Sequence, residues 1–197
     1  MRALTAVGLL VLATLVPATS FGAEPPKRAL EVDAFGGILR RGNLTVPDDV
    51  STRNGGLALA LAVHYRSRYF LSPFLEAAYY SLAASDRVVD LGLGSGRSYV
   101  LNSSWAFGFT GGAALDIWRV RLRVGVGAYD LFVRTVTLGA RSTVSELDFG
   151  YVASASVYPL VRDRFRVGFE ARVGLVVEAQ TGFIALGATL GGDAISF

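Results

Sequence analysis

The residues best suited to chemistry in this 197-residue chain are a lone histidine and two opposed sets of charges. His64 is the only imidazole and cysteine is absent. A hydrolase with a Ser-type nucleophile would need His64 as its base. Its strand, however, places His64 one step from a tight connection near Ser67, among polar neighbours that satisfy it, so it reads as an inward-facing structural histidine. Without thiolates there is no disulfide framework and no cysteine metal site, and no other metal-ligand spacing is present. Gly92-x-Gly94-x-Gly96 lies in a polar gap with no helix after it, which makes it loop rather than phosphate cradle. No catalytic, cofactor or metal residues are therefore assigned, and no enzyme activity is expected.

The charges read differently. The acids Glu31, Asp33, Glu76, Glu146, Asp148, Glu170 and Glu178 fall on the same strand faces as Arg66, Arg119, Arg121, Arg123, Arg164, Arg166 and Arg172. Such a balance suits pairing in a confined, low-dielectric interior, where an unpaired charge is costly. A network of Glu31, Asp33, Glu76, Arg119, Arg121, Arg123, Arg164, Arg166, Glu170 and Arg172 is expected there, with Glu76 and Glu170 reaching Arg123 and Arg172. The formal net charge of +3 does not call for nucleic acid.

The elements that must hold these charges are strands. Over 118–128 every even position is apolar, while the odd ones read Arg119, Arg121, Arg123, Gly125 and Gly127. Successive side chains of a strand point to opposite faces, so one face is wholly apolar and the other begins as an arginine ladder. The stretch 164–178 repeats the arrangement, with Phe165, Val167, Phe169, Ala171, Val173 and Leu175 on one face. Similar alternation runs through 30–38, 57–65, 69–79, 102–110 and 147–157 and, less tidily, 183–197, which makes eight strands. In the last, Leu186 and Leu190 have one parity while Ile195 and Phe197 have the other. A bulge at Gly191-Gly192-Asp193 would restore a single face and keep Asp193 off it. Long polar gaps at 41–54, 83–99 and 131–145, with a shorter one at 179–182, alternate with tight connections near Ser67, Asp116 and Arg162-Asp163.

Both faces argue for a closed barrel over a solvated sandwich. The polar faces carry Gly, Ala and Ser among paired charges, as a narrow eight-stranded interior requires, and Lys27 is the only lysine. A sandwich surface would favour lysine, threonine and glutamate in contact with water. At the start, Met1-Arg2, an apolar run over 3–16 and the small residues after Pro17 form a secretory signal peptide. It is too short for a membrane helix of about 20 residues. Residues 1–23 are assigned to it, with cleavage after Ser20, Gly22 or Ala23, and residues 24–197 to one barrel domain.

The chain ends on Gly192-x-x-Ile195-x-Phe197. With the eight alternating strands, this resembles the small eight-stranded outer-membrane β-barrels of the OmpX/Ail and OmpA-transmembrane type. The resemblance implies an all-β, antiparallel up-and-down transmembrane barrel, monomeric, in the outer membrane of a Gram-negative cell. It implies that Gly192, Ile195 and Phe197 are read by the barrel-assembly machinery, although Asp193 stands where that family usually has an apolar residue. It implies a structural or surface-interaction role, with outer-membrane lipid and lipopolysaccharide as partners and no cofactor. Arg40, Arg41, Arg53, Arg87, Arg97, Arg134 and Arg141 fall in the long gaps, and guanidinium matches lipopolysaccharide phosphate. The alternative is a small-solute outer-membrane channel, which needs an interior emptier than these side chains allow.

Overall fold

Period-two segments cannot bury their apolar face alone, and here they pair edge to edge until the sheet closes. The computed structural model describes residues 28–43, 52–53, 55–66, 71–90, 97–137, 140–162 and 164–196. The strands are β1 (Ala29–Asn43), β2 (Thr52–Arg53), β3 (Gly55–Arg66), β4 (Leu71–Asp90), β5 (Arg97–Ile117), β6 (Val120–Thr137), β7 (Ala140–Arg162), β8 (Phe165–Val176) and β9 (Thr181–Ser196). Eight are long and antiparallel to their neighbours; β2 only adds Thr52 and Arg53 opposite Ser85 and Ala84 of β4. β1 pairs with β3 on one side and β9 on the other, from Ala29↔Ser196 to Asn43↔Thr181, so the sheet is a ring. Closure leaves no edge in the body of the barrel, the condition for strands to cross a lipid layer.

The two faces separate as the alternation requires. Along β3, Leu57, Leu59, Leu61 and Val63 are exposed on the exterior, while Ala58, Ala60, Ala62 and His64 are buried inside. Leu75, Phe109, Val124 and Phe169 continue the apolar exterior round the barrel. At the end of β9 the parity does flip, one residue later than the sequence reading placed it. Leu30 faces Ile195 and Glu31 faces Asp193, so Ala194 is the extra residue of the bulge. Leu190 and Ile195 thereby share the exterior, and Asp193 turns in to accept Arg66 at 3.0 Å. Phe197 and the proposed signal segment lie outside the described residues.

One end has tight turns. Ile117 faces Val120, so Trp118 and Arg119 alone connect β5 to β6, with Trp118 at φ 53°, a region bulky residues rarely enter. The other end departs from the sequence reading. The expected gaps 83–99 and 131–145 are largely strand: β4 and β5 pair as far as Asp90↔Arg97, and β6 and β7 as far as Thr137↔Ala140. Along the start of β7 a periodic pattern is absent because both faces are open there. The first eight residues of β7 are all exposed. β4–β7 thus form a raised wall. β8 joins β7 only from Gly150, and among the described residues no strand pairs with β7 above Phe149 on that side. Asp148 secures the junction, its carboxylate accepting the N–H groups of Glu178 at 3.2 Å and Ala179 at 2.8 Å in the β8–β9 turn.

Candidate functional site

The interior is filled by three stacked layers. The lowest centres on Arg121, which is fully buried and rises from the first turn of β6 across to β1. Its guanidinium donates to Glu31 at 2.5 Å, Asp33 at 2.6 Å and Asp116 at 2.6 and 2.8 Å. Arg166 from β8 also reaches Glu31 at 2.5 Å, and Arg66 from β3 lies 2.8 Å from the other Glu31 oxygen. His64 Nε2 is 3.2 Å from Asp33 Oδ2, and its ring packs against Phe74 with centroids 5.5 Å apart. The Tyr158 hydroxyl donates to the same Asp33 oxygen at 3.4 Å. The lone imidazole is thus enclosed among structural charges.

The middle layer joins four strands. Arg172 donates to both oxygens of Glu76 at 3.0 Å, to Glu170 at 2.7 and 3.0 Å, and to the Tyr80 hydroxyl at 3.1 Å. Arg123 is paired with Glu170, lies 3.5 Å from Glu76, and donates to Ser154 at 3.0 Å. Each carboxylate is shared between two guanidinium groups, which offsets the desolvation that a lone buried charge would suffer.

The third layer is apolar, and the sequence reading missed it. Phe35, Leu39, Tyr80, Leu82, Tyr129, Leu131 and Phe183 are buried together above Arg172. Tyr80 meets Phe183 at 4.3 Å between ring centroids and Tyr129 at 6.3 Å, and the Arg172 guanidinium lies 4.4 Å from the Phe35 centroid. Glycines make room for the rings: a methyl group on either Gly108 or Gly150 would come within 2.7 Å of Tyr129. The available signal was an inward-parity aromatic paired across strands with glycine, as Tyr129 is with Gly108. Above this plug Arg41 spans the lumen, donating to Ser104 at 3.5 Å and Thr181 at 3.1 Å.

Two residues expected in the network are elsewhere. Arg119 sits in the β5–β6 turn, exposed, its guanidinium 5.0 Å from the Trp118 ring centroid and donating to the Pro159 carbonyl at 3.1 Å. Arg164 is exposed in the β7–β8 turn. Both keep inward parity by counting, but the strand has already turned, so parity no longer decides direction. Arg41 is corrected the other way, from gap to lumen. Of the other arginines assigned to the gaps, Arg40, Arg134 and Arg141 are exposed, and Arg134 lies 5.0 Å from the Trp105 centroid. Trp105 stacks on Phe132 at 5.5 Å, and Phe107 meets Phe132 edge-on, giving an aromatic cluster on the exterior below Arg134. The side chains of Arg53, Arg87 and Arg97 fall outside the described set. Among the described residues no group of His, Asp and Glu could hold a metal ion.

No protein-family model and no curated protein sequence matches the chain. Solved structures do match in fold. Ail, the attachment invasion locus protein of Yersinia pestis, aligns at a TM-score of 0.56 in its complex with the heparin analogue sucrose octasulfate. A second Ail structure aligns at 0.55. In both, identity is 14 %, and the alignment covers 84 % of this chain and 99 % of Ail. The fold is that of the small eight-stranded outer-membrane barrels.

Proposed function

We propose that the protein is an integral outer-membrane β-barrel of a Gram-negative cell, not an enzyme, which serves as a surface-interaction element. The observation that carries the reading is the raised β4–β7 wall, whose first eight β7 residues are all exposed, standing on a barrel whose interior is already filled. A closed apolar exterior needs an apolar surround, and a packed lumen leaves the wall and its connections as the working surface. The barrel supplies rigidity, and the open side of β7 above Phe149 offers backbone donors and acceptors to an incoming strand.

Lipopolysaccharide is the partner class favoured by the exposed side chains. Arg134 and Arg141 lie on the exterior side of the wall just above the Trp105–Phe132 cluster, where an aromatic belt marks the headgroup boundary. Gly192 and Ile195 remain the candidate assembly signal, with Ile195 53 % exposed on the exterior as a lipid-facing residue should be. An epitope inserted at 138–139 should be reached by antibody on intact cells, and the protein should stay with the outer-membrane fraction. Refolded protein should bind lipopolysaccharide, with Arg134→Gln/Arg141→Gln weakening it several-fold. A periplasmic protein, or an epitope visible only after lysis, would refute the reading.

A further inference from the structure

We propose that the tight-turn rim carries a binding site for anionic phospholipid headgroups, centred on Arg162 and Arg164 of the β7–β8 turn and flanked along the rim by Arg119 and Arg28. The inference rests on the chain spanning a bilayer, and it concerns the end of the barrel opposite the wall. Near this end of β7 and β8, Leu160 faces Val167 and Arg162 faces Phe165. Leu160 is 57 % and Phe165 67 % exposed on the exterior, so Arg162 is the first charged residue beyond the apolar surface on its own strand face. A guanidinium one step past side chains that require acyl chains lies at the depth of the phosphates.

The other arginines flank this turn along the rim, Arg119 on the β5–β6 side and Arg28 at the start of β1. The Arg164 carbonyl accepts the Asp193 N–H at 3.0 Å, which holds the β7–β8 turn against the end of β9. Ala29 faces Ser196, which brings Arg28 to that end as well. Arg119 reaches towards β7 through the Pro159 carbonyl, and its neighbour Trp118 is 87 % exposed, an aromatic at headgroup level.

Among the described residues, charge balance leaves the rim cationic. Of the described acids, those nearest to it, Asp116 and Asp193, are engaged by Arg121 and Arg66. Among the described residues Arg28, Arg162 and Arg164 have no carboxylate partner, whereas every lumen arginine of the two charge layers has at least one. A phosphodiester can take two parallel N–H bonds from one guanidinium, and a headgroup of net negative charge gains further from the clustered field.

Tryptophan fluorescence reads the site directly, because Trp105→Phe leaves Trp118 as the sole tryptophan. The full chain carrying that change would be refolded into phosphatidylcholine vesicles containing a minor fraction of chain-brominated lipid. Brominated phosphatidylglycerol should quench Trp118 as though enriched roughly threefold over brominated phosphatidylcholine, and about 0.5 M salt should abolish the preference. Arg162→Gln/Arg164→Gln should reduce the preference most of the way to parity, while Arg162→Lys/Arg164→Lys should keep much of it. Equal quenching by the two lipids before any rim substitution, or a preference untouched by salt, overturns the proposal. So does a folded glutamine variant that keeps the full preference. A parent protein that never acquires heat-modifiable mobility in vesicles would instead overturn the membrane reading beneath it.

Discussion

Arg172 and Arg119 show how far one residue type can differ with its surroundings. Arg172 is fully buried and shared between Glu76 and Glu170, with its flat face against Phe35. Replacing it with methionine leaves Glu76 and Glu170 with Arg123 as their one remaining cation. Arg172→Met should therefore cost about 3–5 kcal/mol in a urea refolding titration. Arg119→Gln, on an exposed turn, should leave the midpoint in place, because an exposed cation is screened and its removal strands no buried partner. If the two substitutions moved the midpoint equally, the interior network would not be the stabilising element described. The residue types of the network were legible from the sequence, since inward parity gathered Glu31, Asp33, Glu76, Arg121, Arg123, Arg166, Glu170 and Arg172. Their pairings were not, because partners come from strands up to 135 residues apart.

Within an element, β6 holds both environments in adjacent positions. Val124 is 65 % exposed on the exterior, directly opposite Ala113 and Ala153, at mid-height in the barrel. Gly125 faces the lumen, where an added methyl group would come 3.0 Å from the Phe74 ring. Val124→Arg should cost about 2–4 kcal/mol in vesicles, whereas Gly125→Ala should cost less, asking small shifts of the Phe74 ring and of the Gly111 carbonyl 3.3 Å away. A larger loss from Gly125→Ala would reverse the assignment of faces. The strands themselves were readable from alternation wherever one face meets the packed interior. Above that level β4–β7 stay paired, and along the start of β7 both faces are open, so pairing persists while the pattern fades.

For the whole molecule, the three layers decide between plug and pore. Two shared-carboxylate layers, then the Tyr80–Tyr129–Phe183 cluster, cross the lumen before Arg41 caps it. Purified, refolded protein should give no discrete conductance steps in a planar bilayer, and regular unitary steps would mean that the interior opens. Heat-modifiable gel mobility should accompany the silent protein, separating a closed barrel from an unfolded one. The two ends also differ: above the plug the exposed start of β7 stands clear of the lumen, and below the charge layers the tight turns carry the exposed Arg119, Arg162 and Arg164.

The amino-acid sequence by itself determined the all-β class, the eight long strands, the apolar exterior and the inward direction of most charges. Each follows from a local period of two, which a chain carries whatever its neighbours are. Only the tertiary structure decided which carboxylate each arginine meets, that β1 closes on β9, and that aromatic rings rest on glycines to form the plug. It also decided where the final parity changes, at Ala194 rather than within Gly191-Gly192-Asp193. These depend on register between strands distant in sequence, and a one-residue slip in register is invisible in the alternation of either strand alone.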